Sequence, residues 1–452
     1  MIVVKFGGTS VGDAAAIERA TEIIRGRLDR RPLVVVSALG GATNALLAIA
    51  EQAEKGQLIG ALRGVETLRE RHLRETSSLL GDTGVGTEIA ADLSAMFDEL
   101  ASLAEALSVL VHMTPRSLDA IASMGERLSS HLVVAVLCAR GIPAELIEAG
   151  DVMITDDQFT RAEPQTELIA DAAQRILRPL LASGVTPVVG GFVGATPNGI
   201  TTTLGRGGSD YSAALFGAAL RAEAIEIWTD VDGMLTADPR VVDGARLIEQ
   251  IRFDEASELA SFGAKVLHPS TIAPAVKIGI PVYIYNSRRP EGAGTRITFD
   301  APRRPVSAIA GKRDVSLIRI RTPRMLLAHG FMRRIFEIFD EHRTSVDVVA
   351  TSEVSVSMTI DDSTHLDTLL GALTSLGDVS VERNRGIVAL VGAGLGDSTA
   401  TMAKALGALD HVKVHMVSLS SGGMNLTLIV DGDQVLETMR RLHAAFFPVT
   451  TS

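Results

Sequence analysis

The stretch Thr201–Ala214, TTTLGRGGSDYSAA, sets an arginine, two glycines, a serine and an aspartate in one short loop ahead of an apolar helix. Gly207 and Gly208 let backbone N–H groups come close to an anion. Arg206 can hold a carboxylate or a phosphate through two parallel hydrogen bonds. Ser209 or Asp210 is expected to cap the helix of Ser212, Ala213, Ala214, Leu215 and Ala218. Lys5 has a comparable setting, after the apolar run Ile2–Val4 and before Gly7 and Gly8. The buried run before it and the glycines after it favour a functional role over a solvated surface charge.

Those residues need elements to position them. Residues 1–300 alternate short β-rich runs with helical patterns. Strands are expected at Ile2–Lys5, Leu33–Val36, Pro187–Val189, Ala224–Trp228 and Val282–Tyr285, and the turns KFGGTSVG, SALGGATN, GGFVGAT and TDVDG follow the first four. Residues 60–110 read as a helical excursion, and Ile121–Ala139 as a helix carrying Glu126. Such alternation predicts a mostly parallel sheet with helices on both faces, an α/β/α arrangement. Ligands of open α/β sheets bind at the carboxyl ends of strands, so the glycine turns point to one site. No GxxxxGK[ST] loop is present, and no complete G-x-G-x-x-G follows the first strand.

The pattern changes after Ala301–Pro305, APRRP, which opens an expected linker over 301–312. Residues 313–384 read strand, helix, strand, strand, helix, strand, and 385–452 repeat the order, an internal duplication of small α+β ferredoxin-like modules. With 452 residues the chain is too long for one core. A net charge of −11 without a basic tail argues against nucleic acid as the main partner. The single cysteine, Cys138, excludes a disulfide framework, and no metal-ligating cluster is evident. Apolar runs are interrupted by Gly or Pro, and MIVVKFGGTS has no secretory pattern, so a soluble cytoplasmic protein is expected.

KFGGTSVG, SALGGATN, MGERLSS at 124–130, LGRGGSDYSA, WTDVDGMLTADPR and FGAKVLHP occur in one order. Together they resemble the aspartokinases of the amino-acid kinase superfamily, and the C-terminal duplication, with SVDVVATSEVSVS, resembles that family's tandem ACT domains. The resemblance spans essentially the whole chain. It implies an amino-acid kinase domain over 1–300 that moves the ATP γ-phosphoryl group to the β-carboxylate of L-aspartate, opening lysine, threonine and methionine biosynthesis. A carboxylate is already ionised at neutral pH, so the nucleophile needs no general base. Positioning and positive charge against the transferring group are what remain.

By this resemblance Lys5 stabilises phosphate charge and Asp210 orients Lys5. Ser37, Thr43, Glu126, Phe192, Arg206, Gly207, Gly208 and Ser209 match aspartate-binding positions, with Arg206 on a carboxylate and Glu126 on the α-amino group. Lys5, Phe6, Gly7, Gly8, Thr229, Asp230, Leu235, Arg240, Lys265 and Val266 match ATP-binding positions. Leu235 stands where many relatives have tyrosine. Mg²⁺ is expected to arrive with ATP, held by phosphates and water. Met325, Ala328, Phe331, Met332, Ser345, Val346, Asp347, Ser352 and Glu353 match the effector site of lysine-sensitive relatives. Leu327 and Ala328 replace the His and Ser common there, so lysine and threonine both stay open as effectors. A dimer through the ACT domains is implied, with a tetramer as the alternative. The rivals are a glutamate or acetylglutamate kinase and a non-catalytic amino-acid sensor.

Overall fold

The computed structural model describes residues 1–262, 269–326 and 329–448. They form two compact units, 1–234 with 269–299, and 235–262 with the described residues of 300–448.

In the first unit β1 (Ile2–Phe6) is buried at every residue. A strand covered on both faces must be a continuous apolar run, and IVVKF breaks that rule only at Lys5. It lies between β2 (Pro32–Val36) and Ile225–Thr229, parallel to both. Thr186–Gly190 extends the sheet beyond β2, and Ala144–Ile147 pairs with it in turn, all in parallel. On the other side Val282–Asn286 joins parallel, and Thr295–Thr298 pairs with it antiparallel. The mostly parallel α/β sheet is therefore present. Ala144–Ile147 was not foreseen, because its residues are half-exposed and do not read as a buried run.

Helices α1 (Ala14–Arg25), α2 (Ala42–Glu54), α3 (Leu58–Leu80), α4 (Gly84–Leu110), α5 (Pro115–Ala122) and α6 (Met124–Ala139) follow in order. The helix expected over Ile121–Ala139 starts earlier, at Pro115, and is divided at Ser123. Pro115–Ala139 is long and apolar enough to cross a membrane by composition, but most of it is buried in the core. One core holds β1, β2, α1 and α6; a second joins α2, α3, α4 and α6.

In the second unit the duplicated modules share one sheet. Two 14-residue strands, Ala308–Arg321 and Asp378–Val391, run antiparallel through both modules. Their far halves, Ile318 and Ile320 with Val379 and Val381, serve the core of the first module. Their near halves, Ile309 with Val388 and Leu390, serve the second. The expected linker over 301–312 is thus strand from Ala308, and the last strand expected in 313–384 and the first expected in 385–452 are one. Residues 235–262 also belong to this unit. Glu255, buried on the helix Phe253–Ser261, accepts from Ser307 Oγ at 2.7 Å and from the Ala393 N–H at 2.9 Å.

His72 is fully buried on α3, its Nδ1 2.8 Å from the Leu68 carbonyl and its ring edge-on to Phe97. Burial pushes its pKa down, and the same cause lowers His131 and His443. The unfolded chain takes up a proton near pH 6.5 that folded His72 refuses, so stability falls as pH drops below that value. His72→Gln should cut the slope of unfolding free energy between about pH 7 and 5 by up to about one proton. Denaturant melts across that range measure it; an unchanged slope contradicts the assignment.

Candidate active site

Lys5 is the one charged residue in β1 and is only 7% exposed. Its Nζ lies 2.6 Å from Asp210 Oδ1, an ion pair joining the first strand to the helix Gly208–Leu220. The cap expected from Ser209 or Asp210 is absent. The helix begins at Gly208, Gly207 caps it with φ at 74°, and no side chain bonds the free N–H groups. That left-handed backbone strongly favours glycine. Ser209 and Asp210 therefore sit inside the first turn, where a carboxylate also meets the positive end of the helix dipole.

A cleft of about 580 Å³ opens at this pair. Lys5, Gly8, Ser37, Thr43, Glu126, Phe192, Arg206, Gly207, Gly208, Ser209 and Asp210 all line it. Every residue matched to aspartate binding is thus drawn into one space with Lys5. Arg206 is exposed there, and among the described residues no carboxylate pairs with it.

Glu126, in the first turn of α6, is 4% exposed. Desolvation raises its pKa to about 8, against the opposing pull of the Ala38 N–H, its own N–H and Lys5. Among the described residues its Oε2 has no hydrogen-bond partner. A buried carboxylate oxygen left without a donor inside a cleft calls for a cation or a donor from a ligand. Ser129, one turn on, donates to the Ser37 carbonyl at 2.8 Å and so ties the turn after β2 to α6. Phe192 holds φ at 65° with its N–H on Ser212 Oγ at 3.0 Å, a strained backbone fixed by the helix beside it.

Of the residues matched to ATP, Phe6 has no exposed side chain, being stacked on Trp228 in the core, so only its backbone is available. The Gly7 N–H is taken by the Trp228 carbonyl at 2.9 Å. Thr229 and Asp230 follow at the carboxyl end of Ile225–Thr229. Leu235 and Arg240 belong to the second unit, where Arg240 pairs with Asp238 at 2.8 Å. Lys265 and Val266 lie outside the described residues. Among the described residues no three His, Cys, Asp or Glu side chains converge to hold a metal.

Of the residues matched to an effector, Phe331 is core in the first module, and Met325, Met332 and Val346 pack against that core. Ser345, Ser352 and Glu353 are exposed, and Ala328 lies outside the described residues. Asp347 is engaged by Lys312 at 3.4 Å, and Lys312 also reaches Asp361. Desolvation raises the Asp347 pKa, with Lys312 opposing it.

Asp119 was not anticipated. It is 1% exposed, on α5, and lines the cleft. It accepts from the N–H groups of Thr160 at 2.9 Å and Thr203 at 3.0 Å and from Thr203 Oγ1 at 2.6 Å. Thr203 closes the strand Thr201–Thr203 that leads to Arg206, so Asp119 fixes where that arginine starts. Its trace in the sequence is slight: an acidic residue in the apolar SLDAIASMGE, two helical turns before Glu126.

A model of the amino acid kinase family matches residues 1–286, and an ACT domain model matches residues 388–446. The chain is 36% identical to the lysine-sensitive aspartokinase 3 of Escherichia coli, across 99% of both. It is 35% identical to the chloroplastic aspartokinase 3 of Arabidopsis thaliana, across 99% of this chain and 82% of that protein. The crystal structure of E. coli aspartokinase III with aspartate and ADP matches with a TM-score of 0.83 and 36% identity, over 99% of this chain and 100% of that one. The same enzyme with lysine and aspartate also matches at 0.83, over 99% of each chain.

Removing Asp119 orphans the buried Thr203 N–H, a loss of about 1–3 kcal/mol, and frees the partly buried Thr160 N–H. Asp119→Ala should lower unfolding free energy by at least that much in denaturant melts, and Asp119→Asn, which keeps an acceptor, by less. Equal stability of all three proteins contradicts the pinning role.

Proposed function

The chain belongs to the aspartokinase family, and on that premise we propose that its cleft transfers the ATP γ-phosphoryl group to the β-carboxylate of L-aspartate. The bond from the β,γ-bridging oxygen to γ-phosphorus breaks, a β-carboxylate oxygen bonds to phosphorus, and 4-phospho-L-aspartate and ADP leave. The observation that carries the proposal is one cleft holding Lys5 on Asp210, the unpartnered Glu126 oxygen and the unpaired Arg206.

Arg206 grips the α-carboxylate in a forked pair. Glu126 accepts from the α-ammonium, and that contact draws the carboxyl to its ionised form. With both ends of aspartate held, the β-carboxylate faces the phosphates, where entropy already lost on binding lowers the barrier. Lys5 donates to phosphate oxygens as charge moves toward the leaving ADP, and Asp210 keeps the ammonium aimed. Mg²⁺ enters with ATP as part of the substrate, held by phosphates and water. An ATP-consuming enzyme with a single cysteine suits the cytoplasm.

The paired ACT modules are the regulatory part, and an end-product amino acid, lysine foremost, is the proposed effector. Its ammonium reaches Asp347 in competition with Lys312. The modules are also the proposed dimer contact. Lysine or threonine should change aspartate KM or kcat by a coupling of about 1–3 kcal/mol. Titration of both against the steady-state rate measures it, and a flat response to each removes the regulatory claim.

Trapping the acyl phosphate as a hydroxamate tests the activity, with aspartate, glutamate and acetylglutamate compared. Signal with aspartate alone is expected, and Lys5→Ala and Asp210→Ala should bring it below the detection limit of this steady-state assay in folded protein. Substantial turnover in either variant refutes its role. The pH dependence follows from Glu126. Below about 8 its carboxyl is protonated in the free enzyme and cannot pair with an ammonium. Thus kcat/KM for aspartate should climb with pH to a plateau above about 8, and Glu126→Gln should lose the climb. A wild-type profile flat from pH 6 to 9 contradicts it.

A further inference from the structure

Helix α3 belongs to the helical excursion, which contributes no strand and none of the residues matched to substrate. Two of its side chains nevertheless grip the turns that build the cleft. Arg71 donates from Nη1 to the Gly40 carbonyl and from Nη2 to the Gly12 carbonyl, both at 2.8 Å. Glu75, one helical turn later, accepts the Ala14 N–H at 2.8 Å. Gly12 and Ala14 follow β1, whereas Gly40 follows β2. One guanidinium therefore spans the turn beginning at Lys5 and the turn beginning at Ser37.

The two turns touch backbone to backbone. A Cβ added to Gly8 would stand 3.0 Å from the Ala38 carbonyl oxygen, and one on Gly40 would stand 3.2 Å from the Gly8 carbonyl oxygen. One on Gly40 would also stand 3.7 Å from the Gly12 Cα, so the turns pack backbone on backbone with no room for a side chain between them. Arg71 ties the Gly12 and Gly40 carbonyls of this seam in a fixed planar fork, which an ammonium cannot copy. Among the described residues Arg71 has no carboxylate partner, so its charge acts on these two carbonyls.

We propose that Arg71 is a positioning residue for phosphoryl transfer: it sets the distance between the phosphate-facing turn after β1 and the aspartate-facing turn after β2. The role rests on the kinase function proposed above. Each turn can still bind its own substrate when the fork is lost, but the two substrates no longer meet in register. A misplacement of about 1 Å can cost on the order of 100-fold in rate.

The full-length Arg71→Lys variant keeps the charge and the aliphatic stem but can serve only one carbonyl. Its kcat should fall roughly 30- to 100-fold, while the separately measured Kd values for ATP and for aspartate stay within about threefold of wild type. Arg71→Ala should behave alike and regain part of its kcat when guanidinium ion is added at millimolar, non-denaturing concentration, a rescue that a role in stability alone does not give. Thermal melts fix the folded fraction used to normalise both. Wild-type kcat in Arg71→Lys, loss of either single-substrate affinity in step with kcat, or no guanidinium rescue of Arg71→Ala overturns the positioning role alone. A wild-type enzyme that does not phosphorylate aspartate overturns the kinase reading and this role with it.

Discussion

The contact between Lys5 and Asp210 is the constraint on which the site depends. An ammonium inside a buried parallel strand is costly, and it persists because a carboxylate on a neighbouring helix lies 2.6 Å away. The pair is open on one side, to the cleft. A phosphate entering there meets a positive charge that is already desolvated and aimed, so little reorganisation remains at the moment of transfer. The helix Gly208–Leu220 therefore does two things: its first turn supplies Asp210, and the loop before it supplies Arg206.

Glu126 is the complementary case. Its carboxyl is buried with one oxygen unmet among the described residues, and burial pushes its pKa up to about 8. In the function proposed here an incoming ammonium relieves that cost, so binding energy depends on a strain built into the site. The proposal thereby accounts for specificity toward an amino acid over a simple dicarboxylate, because only the former brings a cation to that oxygen. Asp119, Ser129 and Arg71 fix the surrounding backbone by bonds to main-chain groups of Thr160, Thr203, Ser37, Gly40 and Gly12. Glycine turns approach ligands closely but have little stiffness of their own, and these side chains provide it.

Much of this was legible in the chain. Buried parallel strands announce themselves as apolar runs, and IVVKF, PLVVV and IEIWT were read as strands in nearly their observed bounds. KFGGTSV and LGRGGSD point to one another through the sheet rule for ligand sites. Other features depend on tertiary contacts that no local pattern encodes. Glu255 assigns residues 235–262 to the second unit through Ser307 and Ala393, more than 50 residues away in sequence. Asn384, at a φ of 56°, and Gly386 look like breakers between two strands, yet the partner strand takes up the irregularity with register shifts near Val315. Arg71 and Asp119 read as ordinary helix residues, because their partners are mostly backbone atoms far away in sequence.

A double-mutant cycle between Lys5 and Asp210, read on single-turnover phosphoryl transfer with both substrates saturating, tests the central claim most directly. If the carboxylate acts only through the ammonium, Asp210→Asn costs rate in the wild-type background and nothing further once Lys5 is Met. Equal losses in both backgrounds, adding independently, would mean that the buried ion pair is not what organises the chemistry.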